Sequence, residues 1–268
     1  MIKIAHEAPK SIFSTVQNVT DYDYALVHLF EEDKEYLKLF TDAIENGREV
    51  ILDNSIFELE EAFEEDKFAE WVEFLKPDWY IIPDVLEDSV KTQHQAYSWH
   101  MNYRKNLPGK AIGVVQGKTY RDIVSCYKYM DRSIDADMIA ISFDYSYYTQ
   151  TVPHPNKYVS WMLGRVKLIG DLLNDGIINK DKPHHLLGCG LPQEFSFYND
   201  STYDFIYSLD TSNPVVHGIK GIEYKPEGLW SKESQKLFEL INTEEKDTNV
   251  ELILKNINSF RNLVGNDE

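Results

Sequence analysis

The sequence predicts a (β/α)8 barrel formed by a single domain, residues 1–268, and two observations lead to this fold class. Short apolar runs alternate with longer amphipathic segments along all 268 residues, which is the pattern of parallel strands joined by helices. The length also fits, because such barrels typically need about 250 residues. An open, doubly wound sheet is the alternative, since the number of strands is hard to count from apolar runs alone.

Eight apolar runs are predicted as strands, and their near-continuous apolar character suits strands that are buried on both faces. They cover residues 24–30, 49–53, 79–84, 111–117, 138–143, 185–190, 205–210 and 215–219. Helices are predicted over 33–46, 58–75, 87–105, 119–132, 156–175 and 192–199, with a C-terminal pair near 231–242 and 247–263, so that C-terminal helices span about 231–263. The carboxyl ends of all the strands then lie at one rim, where barrel enzymes keep their chemistry.

The charge balance restricts the partners of the chain. Asp and Glu number 45 against 27 Lys and Arg, a formal net charge of −18, which disfavours a broad contact with nucleic acid. Any such contact has to be local or assisted. If the protein binds DNA, a small basic patch is expected from residues such as Arg104, Lys105, Lys110, Lys118, Arg121, Arg165, Lys167 and Lys220.

Targeting and metal signals are weak in this sequence. No apolar run approaches the ~20 residues that span a bilayer, and the first residues lack the apolar stretch of a secretory signal, so we expect a cytoplasmic protein (host cytoplasm if viral) with no membrane partner. Cys126 and Cys189 form no Cys-x-x-Cys pair, so neither a zinc site nor a disulfide framework is indicated. We expect no metal and no cofactor.

Polar residues follow the apolar runs at the predicted rim. They include Asp53, Asp84, Gln116, Ser142 and Asp210. Carboxylates that share a partly dry cleft suit displacement at an anomeric carbon, with one as nucleophile and another as general acid or base. A single Asp after a strand can equally cap the following helix, so the set carries more information than its members.

Four short motifs, in the same order, resemble those of the tRNA-guanine transglycosylases and of their relatives that place 7-deazaguanines in DNA. The resemblance spans about residues 50–218. Asp53-Asn54-Ser55-Ile56-Phe57-Glu58 is similar to Asp-Ser-Gly-Gly-Phe-Gln, Val114-Val115-Gln116-Gly117 to Ile-Val-Gln-Gly, His185-Leu186-Leu187-Gly188-Cys189-Gly190 to Tyr-Leu-Met-Gly-Val-Gly, and Leu209-Asp210-Thr211-Ser212-Asn213-Pro214 keeps an Asp-x-x-x-Pro spacing.

The resemblance implies a role for each matching residue. Asp210 corresponds to the nucleophile that attacks C1′ of a target guanosine, Asp53 to the general acid/base, and Asp84 to the aspartate that reads the N1–H and amino edge of the purine. The remaining substrate-binding residues are Gln116 and Gly117 at O6, the backbone of Ser142 and Phe143 along the same edge, Phe57 and Leu187 on the ring faces, and Gly188, which allows close approach of the backbone.

The chain also departs from the family pattern. Where the family has a double glycine, this chain has Ser55-Ile56, and where the family has an Arg-rich stretch after the nucleophile, this chain has Val215-Val216-His217-Gly218. The family's Cys-x-Cys-x-x-Cys zinc subdomain has no counterpart in this sequence. A chain without that subdomain looks more like a short viral-type relative that acts on DNA. The implied partners are therefore nucleic acid, with DNA favoured over tRNA, and a 7-deazaguanine base; a homodimer or an accessory protein is left open.

Two other functions fit the same residues. The three carboxylates could serve a nucleoside or N-glycoside hydrolase with water as acceptor, which would release free base without replacing it. Alternatively, a catalytically inactive barrel could bind a basic protein through its acidic surface.

An aromatic-rich segment could stack on unpaired bases or pack under a neighbouring helix. It consists of Tyr145, Tyr147, Tyr148, Tyr158 and Trp161.

Overall fold

The computed structural model describes residues 1–61, 63–233 and 235–265 and shows a (β/α)8 barrel. The residues outside this description are Ala62, Ser234 and 266–268. Ala62 belongs to the predicted helix 58–75, Ser234 to the predicted helix 231–242, and residues 266–268 to the end of the predicted domain 1–268. The strands are β1 (Lys3–His6), β2 (Asp23–Leu26), β3 (Val50–Asp53), β4 (Trp79–Ile81), β5 (Lys110–Val115), β6 (Met138–Ser142), β7 (His184–Leu187) and β8 (Ile206–Thr211). All paired strands are parallel, and the predicted fold class is confirmed.

Helices follow the strands and cover the outside of the sheet. They are α1 (Phe13–Gln17), α2 (His28–Glu32), α3 (Lys34–Glu45), α4 (Ile56–Leu59), α5 (Glu65–Leu75), α6 (Ser89–Trp99), α7 (Tyr120–Arg132), α8 (Ser146–Thr151), α9 (Lys157–Asn174), α10 (Asn213–Ile219) and α11 (Val250–Val264). A π-helical turn, His100–Arg104, extends α6, and 3-10 turns cover Lys10–Ile12, Pro192–Phe197, Ser201–Tyr203, Leu237–Leu240 and Glu245–Asp247. Among the described residues, no helix is both long and apolar enough to cross a membrane.

The predicted strands contain two errors, one strand that was missed and one that does not exist, so the predicted number of eight is still correct. The first strand is β1, which is only four residues long and includes Lys3, so it lacks the apolar run that marks the other strands. The predicted strand 215–219 is wrong, because this segment belongs to α10. Pro214 occupies the first turn of α10, where its missing N–H costs nothing, and the helix is buried almost all round, so no polar face reveals its period.

Three predicted helices are shorter or less regular than expected. The predicted helix 58–75 is replaced by α4 and α5, the predicted helix 192–199 is replaced by the 3-10 turn Pro192–Phe197, and the described part of 231–242 contains only the 3-10 turn Leu237–Leu240. Within that segment, residues 231–233, 235 and 236 form no regular secondary structure, and Lys232, Gln235 and Lys236 border the central pocket. Irregular backbone at this place closes one side of the site.

The barrel closes differently between its first two strands. Within the described chain, β1 and β2 share no strand ladder, and the hydrogen-bonded order runs from β1 through β8 round to β2. The N–H of Ile4 instead donates to Oδ2 of Asp21 at 2.8 Å, and the N–H of His6 donates to Oγ1 of Thr20 at 2.8 Å. Side chains thus satisfy, at this seam, donors that a neighbouring strand would otherwise satisfy.

Candidate active site

A pocket of about 240 Å³ opens at the carboxyl ends of the strands. Nine of the ten predicted site residues line it: Asp53, Phe57, Asp84, Gln116, Ser142, Phe143, Leu187, Gly188 and Asp210. Gly117 is not among the lining residues; a Cβ there would lie 2.8 Å from Cβ of Asp122. This glycine therefore serves the packing of the β5–α7 turn against α7.

Asp210, at the carboxyl end of β8, is held through one of its two carboxylate oxygens. Oδ1 accepts the backbone N–H of Gly188 at 3.0 Å and lies 3.0 Å from Nε2 of His185. Nδ1 of His185 lies 2.9 Å from Oγ of Ser208. Both partners of Oδ1 stabilise negative charge there, and among the described residues no hydrogen bond is made to Oδ2, which leaves that oxygen to the pocket.

Asp53, at the carboxyl end of β3, is held by a different set of donors. It accepts the hydroxyl of Tyr24 and, at 2.6 Å, the backbone N–H of Ser55. Burial and, second, the negative charge of Glu58 raise the pKa of Asp53 well above its usual value. The Tyr24 ring stacks on His185 with centroids 6.1 Å apart, so Asp53 and Asp210 are linked through two stacked rings.

Two further carboxyl groups line the pocket, and neither was predicted from the sequence as a site residue. Glu7 follows β1, and Glu58 lies in α4. Burial and the charges of Asp210, Glu58 and Asp53 raise the pKa of Glu7, and burial raises the pKa of Glu58 to about 7. Glu7 was missed because β1 was missed; Glu58 could have been found as the acidic residue in the position of the family's Gln.

Asp84 is buried and lies in a closed network of amide donors. Nδ2 of Asn54 donates to its Oδ1 at 2.8 Å, and Nε2 of Gln116 donates to its Oδ2 at 2.7 Å. Oε1 of Gln116 in turn accepts the N–H of Glu87 at 2.8 Å. Burial raises the pKa of Asp84 to about 6, although both amide bonds act in the opposite direction. Each carboxylate oxygen keeps one lone pair for a ligand.

The segment after β6 supplies an aromatic wall. Phe143 lies 6.1 Å from Phe57 and 5.5 Å from Trp161, centroid to centroid. Gly188 has a φ of +63°, and a Cβ there would lie 2.5 Å from the Phe143 ring, so only glycine lets this ring lie against β7. The N–H of Ser142 donates to the Tyr145 hydroxyl at 3.2 Å, and that donor is therefore already used within the protein.

The turn after Asp53 has an uncommon backbone conformation. Ser55 is fully buried and has a φ of +62°, a region that residues other than glycine, asparagine and aspartate rarely enter. The short bond from its N–H to Asp53 and the bond from the N–H of Ile56 to Oδ1 of Asn54 at 3.0 Å hold it there. Such strain concentrates at functional sites, and it falls here where the resembling family has glycine.

None of the eight residues of the predicted basic patch is among those that line the pocket. Arg165 is fully buried, where it pairs with Glu194 at 2.7 Å, and its guanidinium holds the carbonyls of Leu187 and Gly188. Lys110 begins β5, and Lys220 follows the end of α10, so both lie at the rim opposite the pocket. The cations at the pocket are instead Lys157, Lys232 and Lys236, which sequence spacing alone did not bring together.

The predicted aromatic-rich segment is divided between the core and the pocket. Tyr145, Tyr147 and Tyr148 are core residues, whereas Tyr158 and Trp161 line the pocket. In the parts of the chain that the structure describes, no group of three or more His, Cys, Asp or Glu side chains is arranged to hold a metal ion.

Compared with known proteins, the chain matches no family model, and a search of curated proteins gives no significant match.

Proposed function

We propose that this chain is a base-exchange glycosyltransferase that replaces guanine in a polynucleotide, DNA in preference to RNA, with a 7-deazaguanine. One observation carries the proposal: Asp210 and Asp53 border one pocket with different surroundings. Asp210 has both of its partners on Oδ1, whereas Asp53 has one partner on each oxygen, and burial with the nearby charge of Glu58 raises its pKa and favours its protonated form. A pair of carboxyl groups with divergent surroundings provides a nucleophile and a general acid.

The first half of the reaction uses both groups. Oδ2 of Asp210 attacks C1′ of the target nucleoside, and the bond from C1′ to N9 of guanine breaks. Asp53 gives its proton to the departing base, which leaves a glycosyl ester on Asp210. The proton inventory closes because Asp53 then carries the negative charge that Asp210 has lost.

The second half reverses these roles. The incoming 7-deazaguanine loses its N9 proton to Asp53 and attacks C1′ from the face that the first base occupied, which releases Asp210. Two displacements at one carbon retain its configuration. Asp84 would accept the N1–H and amino donors of either base on its remaining lone pairs, and Phe57 and Phe143 offer ring faces for the planar base.

The test is the transfer of labelled base into a polymer. The protein is incubated with radiolabelled guanine and, separately, single-stranded DNA, duplex DNA and tRNA, and Asp210→Asn is compared with the wild type. Asp204→Asn is the matched control, because Asp204 is exposed and precedes β8 at the other end of the same strand. We expect label in one polymer with the wild type and Asp204→Asn, and at least a thousandfold less, roughly, with Asp210→Asn.

Two outcomes would contradict the proposal. Release of free guanine from the polymer without incorporation of label would assign the pocket to a hydrolase that uses the same carboxyl groups. No labelling and no release, together with tight association of the folded protein with a basic protein that Asp210→Asn leaves unchanged, would assign the chain to acidic binding proteins.

A further inference from the structure

Three lysines line the pocket, and the ammonium group of each sits over an aromatic ring. Nζ of Lys232 is 4.0 Å from the centroid of Phe143, and Nζ of Lys236 is 4.8 Å from that of Phe57. Nζ of Lys157 lies 5.1 Å from the centroid of Trp161 and 5.0 Å from that of Tyr158. The pairing of cation and ring thus recurs along this rim.

The rings below these cations form one continuous series. Phe57 lies 6.1 Å from Phe143, Phe143 lies 5.5 Å from Trp161, and Trp161 lies 5.6 Å from Tyr158. Phe57 is 40% exposed, and all four residues line the pocket. The series therefore crosses the pocket from α4 to the start of α9, and Phe143, in the middle of it, is buried.

The three pocket lysines differ from the lysines of the outer helices in their partners. Within residues 1–61, 63–233 and 235–265, none of the three makes an ion pair, whereas Lys38 and Lys167 on the outer helices each pair with an aspartate at 2.5 Å. Lys236 donates to the carbonyl oxygens of Phe57, at 2.7 Å, and Glu58. Lys157 and Lys232 therefore keep the most donor capacity for a ligand.

A hydrogen bond connects the two chain segments that carry these lysines. Lys157 is the first residue of α9, where the helix dipole adds partial positive charge. Asn156, which caps that helix, donates from Nδ2 to the carbonyl of Trp230 at 2.6 Å, two residues before Lys232. The irregular segment that carries Lys232 is thereby tied to the start of α9.

We propose that this rim is a track for a single-stranded polynucleotide, formed by Phe57, Phe143, Trp161 and Tyr158 with Lys157 and Lys232. The inference rests on the proposed function and specifies the form of its polymer. Aromatic rings stack on the faces of unpaired bases, and ammonium groups contact the phosphates between them. Base faces are covered in a duplex, so the track selects a strand that is already single or locally opened around the target nucleotide.

The charge of the protein sets the strength of this contact. With a net charge of −18, the protein as a whole repels a polyanion, and the track has only two lysines to attract one. Two phosphate contacts on a single strand predict a slope of roughly −1.4 for the logarithm of the binding constant against the logarithm of the salt concentration. Such a shallow slope distinguishes this track from an extended basic surface.

Binding is measured by fluorescence anisotropy with a labelled single-stranded DNA oligonucleotide, its RNA equivalent and its duplex, across a range of salt concentrations and without any free base. The variants are Lys157→Gln, Lys232→Gln, Trp161→Ala and Trp161→Phe. The matched control is Lys110→Gln, because Nζ of Lys110 lies 4.8 Å over the ring of Trp79 but at the opposite rim. Thermal unfolding of each variant shows that it is folded.

We expect the single strands to bind more tightly than the duplex. Lys157→Gln and Lys232→Gln should each reduce the salt slope by roughly 0.7, whereas Lys110→Gln should leave it unchanged. Trp161→Ala should weaken binding roughly 5- to 150-fold at an unchanged slope, and Trp161→Phe should restore most of the loss. A preference for DNA or RNA identifies the polymer.

The track would be overturned if the pocket lysine variants behaved like Lys110→Gln, or if the duplex bound as tightly as the single strand. These results leave the base-exchange proposal intact, since incorporation of labelled guanine is measured separately. Conversely, a salt slope that depends on Lys157 and Lys232, in a protein that incorporates no base into any polymer, would support the track and reject base exchange.

Discussion

Nε2 of His185 and the backbone N–H of Gly188 meet the same oxygen of Asp210, each at 3.0 Å. The His185 ring is fully buried and is held on its other side, where Nδ1 lies 2.9 Å from Oγ of Ser208. With both nitrogens occupied, the ring fixes the rotation of the Asp210 carboxylate. His185 is in this sense a positioning residue for the proposed nucleophile.

Replacement of His185 tests this relationship. Glutamine keeps an N–H donor near the position of Nε2, whereas leucine has none. We expect kcat for base exchange to fall roughly 100-fold in His185→Leu, because the freed carboxylate loses its alignment, and to fall within about tenfold in His185→Gln, with KM for the polymer little changed in both. Steady-state kinetics together with thermal unfolding provide the measurement; an equal loss of kcat in the two variants would argue for a purely structural role.

The pH dependence of exchange should report on Glu58. Burial raises the pKa of Glu58 to about 7, and once ionised its negative charge adds to burial in raising the pKa of Asp53. If Asp53 acts as the acid, the rate falls as pH rises through the pKa of Asp53. Glu58→Gln removes the negative neighbour and should shift this descending limb to lower pH, measured as kcat against pH; a limb that stays in place would exclude the coupling.

Asp84 should make a measurable contribution to the pH dependence of stability. Its pKa is about 6 in the folded protein, against a usual value near 3.8, so between these pH values the folded state binds more protons than the unfolded state. Its contribution is complete below about pH 4 and is lost as pH rises through 6, about 3 kcal/mol in all.

The measurement is the free energy of unfolding of wild type and Asp84→Asn in urea at several pH values between 4 and 7. Other buried carboxyl groups titrate in both proteins, so the difference between the two isolates Asp84. We expect the wild type to lose stability relative to Asp84→Asn as pH rises. A difference that is constant with pH would show that Asp84 is ionised throughout.

Gly188 and Gly176 form a matched pair for a substitution test. Their φ values are +63° and +64°, but a Cβ at Gly188 meets the Phe143 ring at 2.5 Å whereas one at Gly176 meets nothing within 4 Å. Gly176→Ala should cost only the backbone strain, about 1–2 kcal/mol. Gly188→Ala should cost about 1–3 kcal/mol more and weaken exchange by displacing Phe143; urea unfolding measures both, and equal costs would mean that the ring moves aside freely.

Much of the fold was predictable because buried parallel strands leave a strong local pattern. Seven of the eight predicted apolar runs contain or overlap a strand, and the aspartates near the carboxyl ends of β3 and β8, Asp53 and Asp210, lie at the pocket as expected. The failures have local causes. Strand β1 is short and partly polar, and α10 is buried so completely that its helical period cannot be read.

The candidate site was predictable only where its residues stand at strand ends. Asp53, Asp84 and Asp210 share that position, so topology alone brings them together. Lys157, Lys232 and Lys236 do not, because they come from a helix start and from an irregular segment whose course depends on tertiary contacts. His185 lies inside an apolar run, where its direction toward Asp210 could not be known without the register of β7 and β8.

At the seam between β1 and β2, closure of the barrel depends in part on particular side chains. A ladder between strands consists of backbone groups, which most substitutions leave in place, but at this seam the carboxylate of Asp21 and the hydroxyl of Thr20 receive the N–H groups of β1. A change at either position removes one of these bonds beside Glu7, whereas the backbone bond from the N–H of Asp21 to the carbonyl oxygen of Ile4, at 2.9 Å, remains. Amide hydrogen exchange in β1, compared between the wild type and variants at Thr20 and Asp21, measures how much each side chain contributes to holding the two edges of the barrel together.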